Sequence, residues 1–131
     1  MMRRLIAVAA LSTLCLAATV TTAAAQGAQP GAKYFKQYCA ACHGLDAKGN
    51  GPAAPAMKMK VPDLTVLQEK GQEFPTMAVM TNIDGTKALA AHGSSGMPIW
   101  GRAFEHTKGT PRPENVVFSL VNYLKTIQVN K

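Results

Sequence analysis

Two cysteines and a histidine are spaced so that together they can hold one prosthetic group. The segment Cys39-Ala40-Ala41-Cys42-His43 has the pattern C-x-x-C-H. Cysteines three residues apart on a helical turn share one face, so both thiols can form thioethers with the two vinyl groups of a haem. The histidine that follows then supplies the proximal ligand to the iron. The pattern therefore predicts covalent attachment of one haem c through Cys39 and Cys42, with His43 on the metal.

Two other chemistries use paired cysteines and are kept as alternatives. A thioredoxin-like dithiol requires a strand before the motif within a βαβ pattern, and the sequence shows no such strand. A tetrahedral zinc site requires two more ligands at metal spacing. The remaining histidines, His92 and His106, lie fourteen residues apart, which is poor spacing for that purpose. A spectrum without haem c would revive either reading.

The first 25 residues have the three parts of a secretory signal. Arg3 and Arg4 precede an apolar run that continues to about Val20, and a stretch of small residues ends at Ala25. We expect cleavage near Ala25 and export to the periplasm. An uncleaved membrane anchor is the alternative for this segment.

Cleavage would leave a short linker over residues 26–30 and a single domain over residues 31–131. It would remove Cys15, so the exported protein would keep only Cys39 and Cys42. Attachment of haem through thioethers takes place in exported proteins, so the expected compartment agrees with the motif.

The elements that must position the motif are predicted to be helices. Tyr34, Tyr38 and Cys42 follow one another at intervals of four, which predicts a helix from Gly31 through the motif. A longer helix is expected at the C-terminus, beginning near residues 110–113. Its apolar stripe consists of Val116, Val117, Leu120, Val121, Leu124 and Ile127.

The middle of the chain is expected to contain only short helices, over residues 65–71 and 76–83. No segment has a convincing strand pattern. The chain has 131 residues, 47% of them hydrophobic and 16% charged, which indicates one folded domain at most. The expected fold class is all-α.

These features together resemble the class I monohaem cytochromes c. That family has a glycine, an aromatic residue and the first haem cysteine at intervals of four, and here these are Gly31, Phe35 and Cys39. Its last helix has a leucine followed three residues later by an aromatic residue, here Leu120 and Tyr123. The resemblance implies the cytochrome c fold, in which the N- and C-terminal helices cross beside one covalently bound haem.

The resemblance covers roughly residues 30–128. It includes the middle segments 49–54 and 62–65 and the segment 96–101, which looks like the ligand loop of bacterial members.

The sixth ligand is expected to be Met97. This residue lies in a glycine-rich polar loop, where no helical stripe explains a methionine, and Pro98 favours an extended backbone before it. The Met-Pro ligand loop of the family matches these positions. Met80 is the second candidate, and His92 is a competing ligand that would give bis-histidine iron and a lower potential.

Three residues are expected around the haem ligands. By resemblance, the carbonyl of Pro62 accepts the second N–H of His43, with Pro52 and Pro55 as weaker candidates, and Leu64 packs on the haem. Trp100 either buries its ring against the haem, with its N–H on a propionate or a water, or is an aromatic residue at the rim of the ligand loop.

Histidine and methionine together suit electron transfer, because thioether sulfur stabilises ferrous iron and no open position remains. We therefore expect an electron carrier that is not itself an enzyme. The alternatives are a haem c subunit of a periplasmic dehydrogenase or oxidase, and a haem sensor or peroxidase-like protein with a labile Met97.

Charge restricts the partners. The net charge is +7, and the lysines are scattered, so nucleic acid is not expected as a partner. No apolar stretch after the signal approaches the roughly 20 residues of a membrane span, so no stable membrane insertion is expected. We expect redox partners with acidic docking surfaces, and a monomer or loosely bound subunit.

Overall fold

The computed structural model describes residues 30–86 and 96–129 of the chain. Four helices, α1 to α4, organise this part of the protein. Helix α1 covers residues 30–43, α2 is Thr76–Asp84, α3 is Trp100–Glu105 and α4 is Pro113–Thr126. The described residues contain no strand, so the fold is all-α as expected.

Helix α1 changes its winding immediately before the cysteine motif. Residues 30–34 are α-helical, Phe35–Cys39 form a π-helical turn, and Ala40–His43 return to the α form. The backbone N–H of Ala40 donates to the carbonyl of Phe35, five residues back. Such wide turns often occur at functional sites, and this one sets the orientation of the motif relative to the rest of α1.

Helices α1 and α4 cross at a glycine. A Cβ on Gly31 would overlap the carbonyl oxygen of Ser119 and lie 2.7 Å from the Cβ of Tyr123. The rings of Phe35 and Tyr123 are 5.3 Å apart between centroids, and Leu120 is buried beside them. Only a residue without a side chain permits this approach of the two backbones, so the expected crossing is confirmed.

Helix α4 contributes five buried residues to the apolar core, more than any other helix. It begins at Pro113, with Glu114 in its first turn and Lys125 in its last, which suits the helix dipole. Helices α2 and α3 both pack against it. Its buried positions are Val116, Val117, Leu120, Val121 and Leu124.

The short elements agree only in part with the sequence. Helix α2 occupies the predicted place and ends at Gly85, which has a φ of 85°. The prediction of a helix over residues 65–71 is wrong, because the structure forms only a 3₁₀ turn there, over Leu64–Val66. There the backbone bonds to the C-terminal end of the chain, since the N–H of Gln68 donates to the side chain of Gln128. Helix α3 was not predicted.

Two further features complete the described fold. Ala54–Ala56 form a second 3₁₀ turn. Within residues 30–86 and 96–129, no helix is long and apolar enough to cross a membrane.

The predicted signal over residues 1–25 lies outside the described residues, as does the predicted linker over residues 26–30 except for residue 30.

Candidate functional site

The cysteine motif forms one turn at the end of α1. Cys39 precedes the α-helical turn Ala40–His43, and Cys42 is its third residue. Both cysteines are half-buried and are not joined in a disulfide. Burial, with a smaller effect from Cys42, raises the pKa of the Cys39 thiol to about 12. The turn therefore presents two reduced thiols three residues apart.

His43 is the buried end of this turn. Its side chain is 8% exposed, and its Nδ1–H donates to the carbonyl oxygen of Pro62 over 3.3 Å. Burial lowers the pKa of His43, and the hydrogen bond to Pro62 partly opposes that shift. The neutral imidazole is favoured, and among the described residues Nε2 has no hydrogen-bond partner. A neutral ring with one nitrogen anchored and the other free is the form in which histidine binds a metal.

The loop after the motif closes the end of α1. The final carbonyl groups of a helix have no partner within it, and here each of the four from the turn Ala40–His43 accepts a backbone N–H from the following loop. The donors are Gly44 to Ala40 at 2.9 Å, Gly49 to His43 at 2.8 Å, Gly51 to Cys42 at 3.0 Å and Ala53 to Ala41 at 2.9 Å.

Gly49 brings the Pro62 segment against this loop. Its φ of 78° lies in the left-handed region that favours glycine. A Cβ at this position would overlap the carbonyl oxygen of Val61 and lie 3.1 Å from that of Pro62. The glycine therefore allows the Pro62 carbonyl to come within reach of His43.

Asp63 and Thr65 shape the backbone after Pro62. One carboxylate oxygen of Asp63 accepts the backbone N–H of Thr65 at 2.8 Å and its hydroxyl at 2.6 Å. The hydroxyl first, and then the backbone N–H, hold the pKa of Asp63 below its ordinary value. Between them, half-buried Leu64 packs on the core and donates its N–H to the carbonyl of Ala47 at 2.8 Å.

Met97 lies three residues before Trp100, which is the first residue of α3. Met97 is half-buried and packs against the apolar core, as does Met80 on α2. The indole of Trp100 joins an aromatic cluster, with its centroid 5.6 Å from the ring of Tyr38 and 5.4 Å from that of Phe104. The cluster links α3 to the helix that carries the cysteine motif.

The two remaining histidines have no described contact with these groups, and two other residues had no predicted role in the site. His106 is exposed, and His92 lies outside the described residues. Sequence reasoning gave no role to Tyr38 in an aromatic cluster or to Gln128, which is 4% exposed. A polar residue beyond the last apolar position of α4 carries no signal of burial in its type or spacing.

The donor set fits haem c. Free thiols on one turn and a neutral histidine with an open Nε2 are the groups that covalent attachment and proximal ligation of a haem require. Met97 and Met80 are partly buried thioethers packed against the same core. No group of three or more histidine, cysteine, aspartate or glutamate side chains within the described ranges is placed to hold a metal ion. Among those residues, the four ligands of a tetrahedral zinc site are therefore not assembled.

One comparison with known proteins found a match, and the match agrees with this chemistry. A family model described as "Cytochrome C oxidase, cbb3-type, subunit III" matches residues 26–109, which is more than half of the chain. No significant match was found among curated proteins or among solved structures.

Proposed function

The chain belongs to the family described as cytochrome c oxidase, cbb3-type, subunit III, and from this premise we propose a periplasmic carrier of single electrons with His43 and Met97 as the axial ligands of its haem. The family makes the chain a monohaem c-type cytochrome with covalent haem c, whose chemistry is haem-based electron transfer. The compartment, the two axial ligands and the shuttling between partners are the proposed parts.

One observation carries the assignment of His43. Its Nδ1–H is held by Pro62 at 3.3 Å, while the ring is buried and neutral. A histidine fixed in one tautomer by a backbone carbonyl keeps its other nitrogen available for the iron and becomes a better electron donor.

The other residues of the site would attach the haem, ligate its iron or pack around it. When bound, the haem supplies an iron that gains and loses one electron. Cys39 and Cys42 hold the porphyrin edge through thioethers. Met97 offers a neutral, soft sulfur that favours the ferrous state. Met97 and Leu64 are partly buried against the apolar core, which limits the access of water to them.

Optical spectra of both oxidation states test the ligands. We expect wild-type protein, made with a working haem attachment machinery, to show haem c and a weak sulfur-to-iron band in the oxidised form. The band should disappear in Met97→Ala and persist in the control Met77→Ala, because Met77 is 69% exposed on α2.

The same spectra also separate the competing ligands. Retention of the band in Met97→Ala and its loss in Met80→Ala would assign the sulfur to Met80. Rapid binding of carbon monoxide to reduced wild-type protein would contradict a firmly held sixth ligand and favour a sensor or peroxidase-like role.

The family description favours a second candidate, a haem c subunit of an oxidase. The site would be the same, but the electron acceptor would be a permanent partner. Mild extraction followed by size-exclusion chromatography distinguishes the two roles. Stable co-elution with a larger oxidase would support the subunit, and elution as a separate small species, no larger than the 13.9 kDa of the full chain, would support the free carrier.

Charge supports an acidic docking surface on the partner. The lysines of the described residues are exposed, and opposite charge on a redox partner would speed encounter. We expect the electron-transfer rate with the natural partner to fall as salt is raised, and a flat salt profile would contradict this. The exposed lysines are Lys33, Lys36, Lys48, Lys58, Lys60, Lys70, Lys108 and Lys125.

A further inference from the structure

A buried glutamine ties the C-terminal end of the fold to the middle of the chain. Gln128 follows α4 and is 4% exposed. Its Oε1 accepts the backbone N–H of Gln68 at 2.9 Å. Its Nε2 donates to the carbonyl of Leu64 at 2.7 Å and to that of Leu124 at 2.8 Å. A buried amide with both ends paired is directional, and it fixes the groups that it bonds.

The segment held by Gln128 continues directly into the partner of His43. Leu64 lies two residues after Pro62, and the N–H of Val129 donates to the carbonyl of Thr65 at 2.9 Å. The bonds between Asp63 and Thr65 stiffen the short backbone in between. A displacement of the Leu64 carbonyl would therefore carry the Pro62 carbonyl with it.

Residues 62–65 are held from two sides. On one side, the loop after the motif contributes the close packing of Gly49 and the bond from Leu64 to Ala47. On the other side, Gln128 reaches across from the end of α4. The first side is close in sequence to His43, whereas Gln128 is 64 residues away from Leu64.

We propose that Gln128 is a positioning residue for His43, because its amide keeps the Pro62 carbonyl within hydrogen-bond reach of Nδ1. The inference rests on the proposed function, since it concerns the redox site only if His43 binds the haem iron. An acceptor on Nδ1–H increases the electron density of the imidazole and stabilises oxidised iron. Loosening that acceptor should raise the reduction potential.

The test uses the holoprotein with Gln128→Met, which keeps the length of the side chain and removes its hydrogen bonds. NMR of the reduced protein follows hydrogen exchange at His43 Nδ1–H. We expect about tenfold faster exchange, because the segment opens more often without its clamp. A shift of the reduction potential to a higher value should accompany this change.

A second variant assigns the effect to one end of the amide. Gln128→Glu keeps an acceptor for Gln68 and removes the donor to Leu64. Because the donor holds Leu64, we expect exchange at His43 as fast as in Gln128→Met. Exchange at the wild-type rate in both variants would overturn the proposal.

Two controls separate positioning from general loss of stability. Val116→Ala removes a fully buried side chain from the core, and Val129→Ala changes an exposed neighbour of Gln128 while keeping its backbone bond. Neither should move the reduction potential. An equal shift in Val116→Ala would show that Gln128 acts only through overall stability and would overturn the proposal.

Wild-type protein gives a result even if the variants do not fold. The amides of Gln68 and Val129 should exchange through the same opening as His43 Nδ1–H, with the same dependence on denaturant. Protection of Nδ1–H that outlasts both amides would overturn the proposal. Absence of haem c from wild-type protein would instead contradict the proposed function, so the two failures are distinguishable.

Discussion

The crossing of α1 with α4 and the loop that follows the cysteine motif are held by different forces. At the crossing, Gly31 lets Phe35, Leu120 and Tyr123 bury apolar and aromatic surface. The loop and its continuation, residues 44–65, are held by backbone hydrogen bonds.

This difference separates stability from positioning. Apolar burial contributes free energy in proportion to area and without direction, whereas hydrogen bonds contribute little net free energy but fix where atoms lie. Changes at the crossing should therefore lower the free energy of unfolding and leave His43 in place. Changes in the loop should act mainly on His43 and its contact with Pro62.

The largest effect is expected for Leu120→Ala at the crossing. Leu120 is 1% exposed, and loss of such a side chain should lower the free energy of unfolding by about 3 kcal/mol. Urea unfolding of the holoprotein measures this change in the free energy of unfolding. The control Phe118→Ala, on the same helix but 53% exposed, should change it by less than about 1 kcal/mol. Similar losses in both variants would contradict a buried crossing.

A somewhat smaller effect is expected for Gly31→Ala. The new Cβ would overlap the Ser119 carbonyl, and the overlap should cost about 2 kcal/mol after the gain in helix propensity. Gly71→Ala is the matched control, because no atom lies within 4 Å of the Cβ position at Gly71. Its left-handed φ alone should lower the free energy of unfolding by about 1 kcal/mol. In Gly31→Ala, hydrogen exchange at His43 Nδ1–H should stay unchanged. A large change in that exchange rate would contradict the view that the crossing stabilises the fold without positioning His43.

In the loop, Ala47→Val should lower the free energy of unfolding by about 1.5 kcal/mol, because a β-branched residue is disfavoured in the left-handed region. Ala47 has a φ of 61° and is fully buried. Its carbonyl accepts the N–H of Leu64, so exchange at His43 Nδ1–H should become faster. Ala47→Gly, which accepts this φ, is the control. A stability loss without any change at His43 would contradict the positioning role of the loop.

The smallest effect is expected for Thr65→Val, and it is a change in pH dependence. The Thr65 hydroxyl and N–H lower the pKa of Asp63. The resulting stabilisation is present above the unfolded pKa of the carboxyl and is lost as pH falls through the lowered folded value. Without the hydroxyl, the pKa of Asp63 should rise toward its ordinary value, as NMR titration measures.

The stability difference between wild type and Thr65→Val should correspondingly shrink as the pH falls through the pKa of Asp63 in the wild-type fold. Thr81→Val, which removes a hydroxyl bonded to the carbonyl of Ala78, should leave the Asp63 titration unchanged. If the stability difference between wild type and Thr65→Val were the same at all pH values, the Asp63 carboxylate could not be the cause of that difference.

Local patterns in the sequence predicted much of the site. The helix through the motif and the long last helix follow from apolar spacing, because helical periodicity is written in neighbouring residues. The helix over residues 65–71 was mispredicted, since its backbone bonds to Gln128, about 60 residues away. Helix α3 escaped prediction because its aromatic residues, Trp100 and Phe104, pack on Tyr38 of another helix.

By itself, the sequence determined the chemistry of the protein. The cysteine pair followed by His43 specifies haem attachment, since this depends on residue type and short spacing. The helix crossing at Gly31 was expected only because the chain resembles the class I monohaem cytochromes c. Only the tertiary structure decided what holds the Pro62 carbonyl at His43. That contact depends on Gly49 from one side and Gln128 from the other, and a hydrogen bond across 64 residues leaves no periodic trace in the chain.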